Sequence, residues 1–408
     1  MRLAVHGILA DQAGSGAGSF PRLLTALLEA GHRVEYFANG GYIRPRSLEH
    51  FPGYRFRPLR VEALERAWRF ASHFRTDYPR AAAAQLAHLG YDRAAKLQIA
   101  ALHQKEPYDL ILCTDAQSFW PSRLPVLSWP QSPPQTEARS LRSSAILGSV
   151  VRERGAAYYA AVQGYYAYRG LLARAALPLT DVFLCATEWA RSEWIRFGVE
   201  ASRVRLLPYI IDIEAFATAS AVGQGPAPTL LWLGRAAPRK RLDLFLAAFA
   251  ELRQRDPTVR ARLVGNLRGD PYAARILGAF ASVPSVSVED PVPRDAVPAL
   301  LAEVDVVVQP SENENFGFSL AEALAAGRLV VAGPTNGTLE YAGEAGFGFS
   351  DYSPSSVALA MEGAVLAARS HGERLSRTAR KAAEQFGTEV VVERFLRIGA
   401  ELASRKRA

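Results

Sequence analysis

Residues 229–265 read TLLWLGRAAPRKRLDLFLAAFAELRQRDPTVRARLVG, which has the pattern of a strand, a basic loop, an amphipathic helix and a second strand. The apolar runs at each end predict buried strands, and the spacing of apolar residues between them predicts the helix. A unit with the same pattern, LAVHGILADQAGSGAGSFPRLLTALLEAGHRVEYFA, lies at residues 3–38. Alternating strands and helices form parallel sheets covered on both faces, so the two units predict two doubly wound α/β domains.

A segment rich in small residues, glycine and proline separates the two units and reads TASAVGQGPAP at residues 218–228. Such a composition interrupts regular structure, and a length of 408 residues suits two domains. We therefore predict an N-terminal domain at residues 1–210, a C-terminal domain at residues 211–385 and a final helix at residues 386–408.

The composition is typical of a globular protein, with 49% hydrophobic and 22% charged residues. The apolar runs are too short to cross a bilayer, and MRLAVHGILAD does not have the length of a signal peptide, so we expect a cytoplasmic protein.

Cys113 and Cys185 each lie inside an apolar run, which indicates buried thiols and neither disulfides nor zinc. The net charge of +8 allows a nucleic-acid partner, but no nucleic-acid motif accompanies it and we expect none.

The stretch QPSENENFGFSLAEALAAGRLVVAG, residues 309–333, predicts a strand end, a polar loop and a helix that begins near Phe316 and Gly317. Free backbone N–H groups at a helix N-terminus suit a phosphate, and a glycine lets the backbone approach a ligand closely. Glu314 and Glu322 flank this turn, one from the loop and one from the helix. Carboxylates accept hydrogen bonds from paired sugar hydroxyls, although a solvated loop and an exposed glutamate would give the same pattern.

A second candidate cluster lies in LGRAAPRKR, where Gly234, Arg235 and Lys240 follow a predicted strand. Open parallel sheets bind ligands at this strand-to-helix position. Arginine holds a phosphate through two hydrogen bonds, and lysine adds a mobile positive charge. A basic turn alone is usually solvated, but the two glutamates in the same predicted domain make the indication of a phosphate-binding site much stronger.

These motifs, taken in order, resemble those of the retaining glycosyltransferase family 4. That family has a strand, Gly-Arg, a lysine five or six residues on, and later two glutamates with seven residues between them, Phe-Gly among these. The resemblance extends over nearly the whole chain, because RVRLLPYIIDIEAF and GPTNGTLEYAG are similar to the segments that the family carries before and after these motifs. It implies the GT-B fold: two Rossmann-like domains face a cleft, and the C-terminal helix returns to the N-terminal domain.

The resemblance also implies residue roles. Arg235 and Lys240 hold the donor diphosphate and stabilise the charge that develops on it, Glu314 binds sugar hydroxyls, and Glu322 binds the ribose. The other implied donor contacts are glycines and backbone groups around the diphosphate, sugar and base: Gly14, Gly16, Gly234, Val292, Phe316, Gly317, Phe318 and Ser319. No cofactor or metal is expected, and the sequence lacks the Asp-x-Asp pair of metal-dependent glycosyltransferases.

One departure from the family lies after the predicted strand PVLSW. The family commonly has a histidine beside the transferred sugar there, whereas this chain has Gln131 nearby. Either Gln131 contacts the sugar in its place, or this position changes the activity.

The expected function is retaining, metal-independent transfer of a hexose-type sugar from a nucleotide diphosphate sugar to a glycan, lipid-linked or small-molecule acceptor, as in cell-envelope polysaccharide synthesis. Two alternatives share the architecture: a nucleotide-sugar epimerase, and a catalytically silent subunit that only binds the donor. Product analysis without an acceptor separates the epimerase, and any transfer or donor hydrolysis excludes the silent subunit.

The segment VEALERAWRFASHFR, residues 61–75, predicts a basic amphipathic helix. Its apolar side either faces the core or lies in a membrane interface, where arginines gain from anionic lipid. On the membrane interpretation, the protein binds peripherally to the inner face of the membrane.

We therefore expect reversible binding to anionic vesicles that is lost at high salt and weakened by charge reversal at Arg66 and Arg69. Cosedimentation at low and high salt measures it, with neutral vesicles as the control. Absence of binding at low salt would indicate a soluble acceptor instead.

Overall fold

The computed structural model describes residues 1–7, 18–39, 45–61, 77–114, 122–130, 132–217, 219–225 and 227–407. These residues form two parallel sheets with helices packed on them. The segments that contain Gly14, Gly16, Gln131 and most of the predicted membrane-binding helix lie outside the described residues.

The N-terminal sheet has the strand order β3-β2-β1-β4-β5-β6-β7, and its strands pair in parallel. The first strand lies in the middle, so the chain winds outward in one direction and then in the other. The strands are β1 (Arg2–His6), β2 (Arg33–Asn39), β3 (Tyr54–Leu59), β4 (Leu110–Cys113), β5 (Val126–Ser128), β6 (Val182–Cys185) and β7 (Val204–Leu206).

The C-terminal sheet repeats this winding with the order β10-β9-β8-β11-β12-β13, again with parallel pairs. Winding reverses between β8 and β11, and ligands of such sheets bind beyond the strand ends at this point. The prediction of two doubly wound α/β domains is therefore confirmed. The strands are β8 (Thr229–Leu233), β9 (Arg260–Val264), β10 (Val286–Glu289), β11 (Val306–Gln309), β12 (Leu329–Ala332) and β13 (Gly346–Gly348).

The helices connect and cover these strands. Those of the N-terminal half are α1 (Ser19–Glu29), α2 (Asp77–His103), α3 (Pro134–Ser140), α4 (Ser144–Arg154), α5 (Ala156–Ala176) and α6 (Glu188–Phe197). Those of the C-terminal half are α7 (Leu242–Arg255), α8 (Pro271–Ala279), α9 (Val297–Ala302), α10 (Phe318–Ala325), α11 (Pro354–Ala383) and α12 (Thr388–Arg407). Within the described chain, every helix is too short or too polar to span a bilayer.

Burial explains why these sequences form these elements. The four leucines of α1, at positions 23, 24, 27 and 28, lie on its buried side, as their helical spacing predicts. Strands β4, β6, β11 and β12 are buried along their whole length, which is typical of parallel sheets covered on both faces. Cys113 and Cys185 are buried free thiols, as predicted.

Helix α12 lies against the N-terminal half of the molecule, although it follows the C-terminal sheet in sequence. It packs on α1, and the approach is close, because a Cβ added at Gly399 would lie 2.9 Å from Cδ2 of Leu110. Just before α12, the carbonyl oxygen of Phe386 accepts a hydrogen bond from the amide of Ile211 at 2.9 Å. The chain therefore crosses between the two halves twice.

Candidate active site

A cavity of about 690 Å³ opens between the two domains at the carboxyl ends of β8 and β11. Ser132, Glu137 and Tyr209 contribute to its wall from the N-terminal half. Most of the predicted site residues line it together: Gly234, Arg235, Lys240, Val292, Glu314, Phe316, Phe318, Ser319 and Glu322.

The loop after β8 places the basic residues at this cavity. Gly234 follows the strand, and a short 3₁₀ turn, Pro238–Lys240, precedes α7. The indole N–H of Trp232 donates to the carbonyl oxygen of Lys240 at 3.2 Å, which ties the turn to the buried strand. Arg241 then takes a left-handed backbone conformation with φ of 50°, so its side chain leaves the cavity and pairs with Glu312 and Asp243.

Glu314 binds two of these cations directly. Its Oε2 atom accepts hydrogen bonds from Nζ of Lys240 at 2.5 Å and from Arg239 at 2.9 Å. Although burial raises the pKa of the Glu314 carboxyl, the charges of Lys240 and Arg239 outweigh it and lower the pKa to about 2. Glu314 is therefore ionised at any physiological pH.

Arg235 lies in a different environment from these two cations. It is exposed at the cavity wall, and within the described chain no carboxylate lies within ion-pair distance of it. Its guanidinium is available to an anionic ligand without first leaving a protein partner.

The loop that carries Glu314 is held by backbone hydrogen bonds on both sides. The amide of Glu314 donates to the carbonyl oxygen of Thr335 at 2.9 Å, and its own carbonyl accepts from the amide of Gly337 at 3.0 Å. The N-terminal domain also fixes this loop, because the buried hydroxyl of Thr187 donates to the carbonyl oxygen of Asn315 at 3.0 Å. The position of Glu314 therefore depends on both domains.

Helix α10 begins at Phe318 with Gly317 as its N-cap, close to the predicted position. Of the predicted site residues that the structure describes, Gly317 is the one that does not line the cavity. Its amide donates to Oγ1 of Thr338 at 2.9 Å. A Cβ at Gly317 would lie 2.4 Å from Oε1 of Gln309, so a larger residue here would have to displace the Gln309 amide, which accepts a hydrogen bond from Asn336. Phe318 and Ser319, the first two residues of the helix, line the cavity, and the free backbone N–H groups of a first helical turn suit an anionic ligand.

Glu322 lies one turn further along α10 and is 9% exposed. Its Oε1 atom lies 3.5 Å from the guanidinium of Arg294, and Arg22 of α1 contributes a second, weaker positive charge. Burial nevertheless raises the pKa of Glu322 to about 7. The carboxyl is therefore a nearly buried group at the cavity wall that can form hydrogen bonds with the hydroxyl groups of a ligand.

Three aromatic rings join the domains at the floor of the cavity. The ring of Tyr209 stacks on Phe318 with centroids 5.4 Å apart and meets Phe316 edge-on at 5.4 Å. Behind them, Trp129 stacks on Tyr209 at 5.2 Å. These contacts are apolar, and they fix the start of α10 against the N-terminal domain.

Sequence reasoning did not identify several residues at the site. Arg239 stands in a run of three cations, and only the pairing with Glu314 distinguishes its role from that of Arg241. Glu137 lies in the first turn of α3 and faces the cavity from the N-terminal domain. In the sequence, the stretch QTE at residues 135–137 indicates only that Glu137 is polar and not that it lies at a site.

The described residues hold no group of three or more His, Cys, Asp or Glu side chains arranged to bind a metal ion.

Comparison with protein families matches residues 227–365 to the model of the glycosyl transferases group 1. A D-inositol 3-phosphate glycosyltransferase of Xylanimonas cellulosilytica is 28% identical over 56% of this chain and 59% of the relative. The protein of the same name from Geodermatophilus obscurus is 34% identical over 48% of this chain and 47% of the relative. The chain thus spans about half the length of the curated relatives it matches.

Solved structures resemble the chain over almost its entire length. Sucrose-phosphate synthase from Thermosynechococcus elongatus superposes with a TM-score of 0.70 at 19% identity, covering 99% of both chains. The Anabaena protein HepE, in complex with UDP-glucose, superposes with a TM-score of 0.64 at 16% identity, covering 98% of this chain and 100% of the other. At these identities the likeness shows a shared fold, and the chain has the two-domain fold of the GT-B glycosyltransferases.

The raised pKa of Glu322 makes stability depend on pH. Unfolded chains release this proton near pH 4.5, whereas the folded protein keeps it to about pH 7. The folded state binds more protons in this window, so its stability falls as pH rises through it, by on the order of 3 kcal/mol when complete. We expect Glu322→Gln to remove this decline. In urea unfolding, the free energy of unfolding of the variant should therefore increase relative to that of the wild type between pH 5 and pH 8.

Glu289→Gln is the control of opposite sign, because hydrogen bonds from Arg262 lower the pKa of Glu289. That variant should lose stability at neutral pH, where the charged carboxylate is favourable. If the free energy of unfolding changed with pH in the same way for the wild type and Glu322→Gln, the raised pKa assigned to Glu322 would be wrong.

Proposed function

We propose that the protein is a glycosyltransferase that moves a hexose-type sugar from a nucleotide diphosphate donor to an acceptor hydroxyl with retention of configuration. The observation that carries this proposal is the convergence of Arg235, Arg239 and Lys240 with Glu314 and Glu322 in one interdomain cavity. The cavity thus combines cations suited to a diphosphate with carboxylates suited to hydroxyl groups. The match of residues 227–365 to the glycosyl transferases group 1 supports the same activity.

The donor has one natural orientation in this cavity. Its diphosphate lies between the loop that carries Arg235 and Lys240 and the first amides of α10, where side-chain charge and helix dipole act together. Its ribose then reaches Glu322, with the base toward Val292. In the opposite direction its sugar reaches Glu314 and the N-terminal domain.

Catalysis in this proposal comes mainly from stabilising the leaving diphosphate. The bond from the sugar to the diphosphate breaks as negative charge develops on the phosphate oxygens, and preorganised cations lower the barrier most where charge develops. Arg235, Arg239 and Lys240 supply that positive charge, so transfer is proposed to need no metal. Retention is proposed from the resemblance to family 4.

The acceptor side is formed by the N-terminal domain. Ser132 and Glu137 line the cavity there and offer hydrogen bonds to a polyhydroxylated acceptor. The curated relatives are named D-inositol 3-phosphate glycosyltransferases, after a small polyhydroxylated molecule. We propose a glycan, lipid-linked or small-molecule acceptor, with cell-envelope polysaccharide synthesis at the cytoplasmic side of the membrane as the setting.

The test is a thermal-shift panel of nucleotide diphosphates and nucleotide sugars, followed by turnover measurements with the donor that stabilises most. Arg235→Ala and Lys240→Ala should each lower turnover by roughly 10²–10³, as loss of one preorganised donor does elsewhere. Both variants should keep the wild-type fold by circular dichroism.

Arg268→Ala is the matched control, because Arg268 belongs to the same domain but is exposed and pairs with Asp290. It should keep wild-type turnover. If Arg235→Ala or Lys240→Ala behaved like this control, the proposed diphosphate site would be wrong, and release of donor sugar as an epimer would indicate the epimerase alternative.

A further inference from the structure

We propose that Glu314 competes with the donor diphosphate for Arg239 and Lys240, and that this competition makes the site prefer a nucleotide sugar over the bare nucleotide diphosphate. The proposal rests on the proposed function. It gives Glu314 a role that binding of sugar hydroxyls alone does not include.

The competition follows from a shared pair of cations. Glu314 engages both Lys240 and Arg239 through the same oxygen atom, and the three side chains are only 12–22% exposed. All three line the cavity that is proposed to hold the diphosphate. A phosphate oxygen that binds Lys240 or Arg239 must therefore take that cation, in whole or in part, from the carboxylate.

The backbone of Glu314 stays in place when the carboxylate loses its partners. Its amide and carbonyl are both hydrogen-bonded, to Thr335 and Gly337, and the next residue is held by Thr187. From this fixed backbone the carboxylate stays at the cavity wall, where its side chain is only 12% exposed. A buried charge that loses its partner is strongly unfavourable, and that cost lowers the affinity for any diphosphate.

A sugar on the diphosphate changes this balance. Its hydroxyl groups donate hydrogen bonds, and an ionised carboxylate accepts them through both oxygens. The sugar therefore compensates Glu314 for the cations that the diphosphate takes. The bare nucleotide diphosphate left after transfer offers no such donor, so the carboxylate competes with it and favours its release.

A neighbouring glutamate provides a matched control. Glu312 is also nearly buried and pairs with a cation of the same basic run, Arg241, at 2.5 Å. It differs in position, because neither Glu312 nor Arg241 is among the described residues that line the cavity. Glu312→Gln therefore removes a comparable ion pair without removing the competitor.

The experiment is calorimetry on the wild type, Glu314→Gln and Glu312→Gln. The probes are UDP, GDP, ADP and inorganic pyrophosphate, with UDP-glucose, GDP-mannose and ADP-glucose as sugar-bearing partners. Glu314→Gln should bind the preferred nucleotide diphosphate and pyrophosphate about tenfold more tightly than the wild type, equivalent to about 1.4 kcal/mol. It should bind the corresponding nucleotide sugar no more tightly, so the preference for the sugar-bearing form falls by about the same factor.

Glu312→Gln should leave that preference at the wild-type value. Unchanged or weaker binding of the bare diphosphate by Glu314→Gln would overturn the proposal while leaving the proposed function intact. No binding of any probe by the wild type would instead remove the proposed function, and this inference with it.

A measurement on the wild type keeps the test decisive if Glu314→Gln does not fold. When a diphosphate has displaced the cations, a free hexose can satisfy Glu314, so the two ligands should bind with positive coupling. We expect glucose, galactose or mannose at millimolar concentration to lower the Kd of the preferred nucleotide diphosphate about threefold or more. Absence of coupling with all three hexoses would count against the proposal.

Discussion

The ion pairs of Glu314 with Lys240 and Arg239 join the two loops on which the candidate site depends. One loop follows β8 and the other follows β11, and these strands are neighbours at the point where the winding of the sheet reverses. Without the carboxylate of Glu314, the positive charges of Arg239 and Lys240 would repel each other at positions with little access to water. The pairing therefore links the two loops, each of which is also held by its own hydrogen bonds, and sets the proposed diphosphate site beside the first turn of α10.

Contacts between the domains extend this constraint across the cavity. Thr187 holds the carbonyl of Asn315, and Tyr341 donates to the carbonyl of Ala186 at 2.7 Å. The carboxylate of Glu340 accepts hydrogen bonds from the amides of Glu188 and Trp189 at the start of α6. The loop after β11 and the segment of Glu340 and Tyr341 are thus tied to the N-terminal domain, so a change in the angle between the domains would shift Glu314.

Much of the fold follows from local patterns that the sequence shows directly. The strand–loop–helix units predict both sheets. The sequence also places the start of α10 within one or two residues of its observed position, because Gly317 marks the end of the loop.

The candidate site was harder to predict. Arg239 and Lys240 line the cavity and Arg241 does not, and this division accompanies a left-handed backbone at Arg241 that no residue preference indicates. Burial of Glu322 beside Arg294 likewise joins two separate segments, and stacking of Tyr209 on Phe318 arises only between domains.

The return of α12 to the N-terminal half has a consequence for how the molecule is assembled. The surface of α1 that α12 covers belongs to the first unit of the chain, but the covering residues, Thr388–Arg407, are synthesised after the whole C-terminal sheet. Domains usually begin to fold during synthesis, N-terminal first. Here the first sheet can form early, yet one apolar face of its helical layer stays open until the ribosome has passed the second domain. Completion of the N-terminal half is therefore coupled to completion of its partner, and the two domains reach their final packing together.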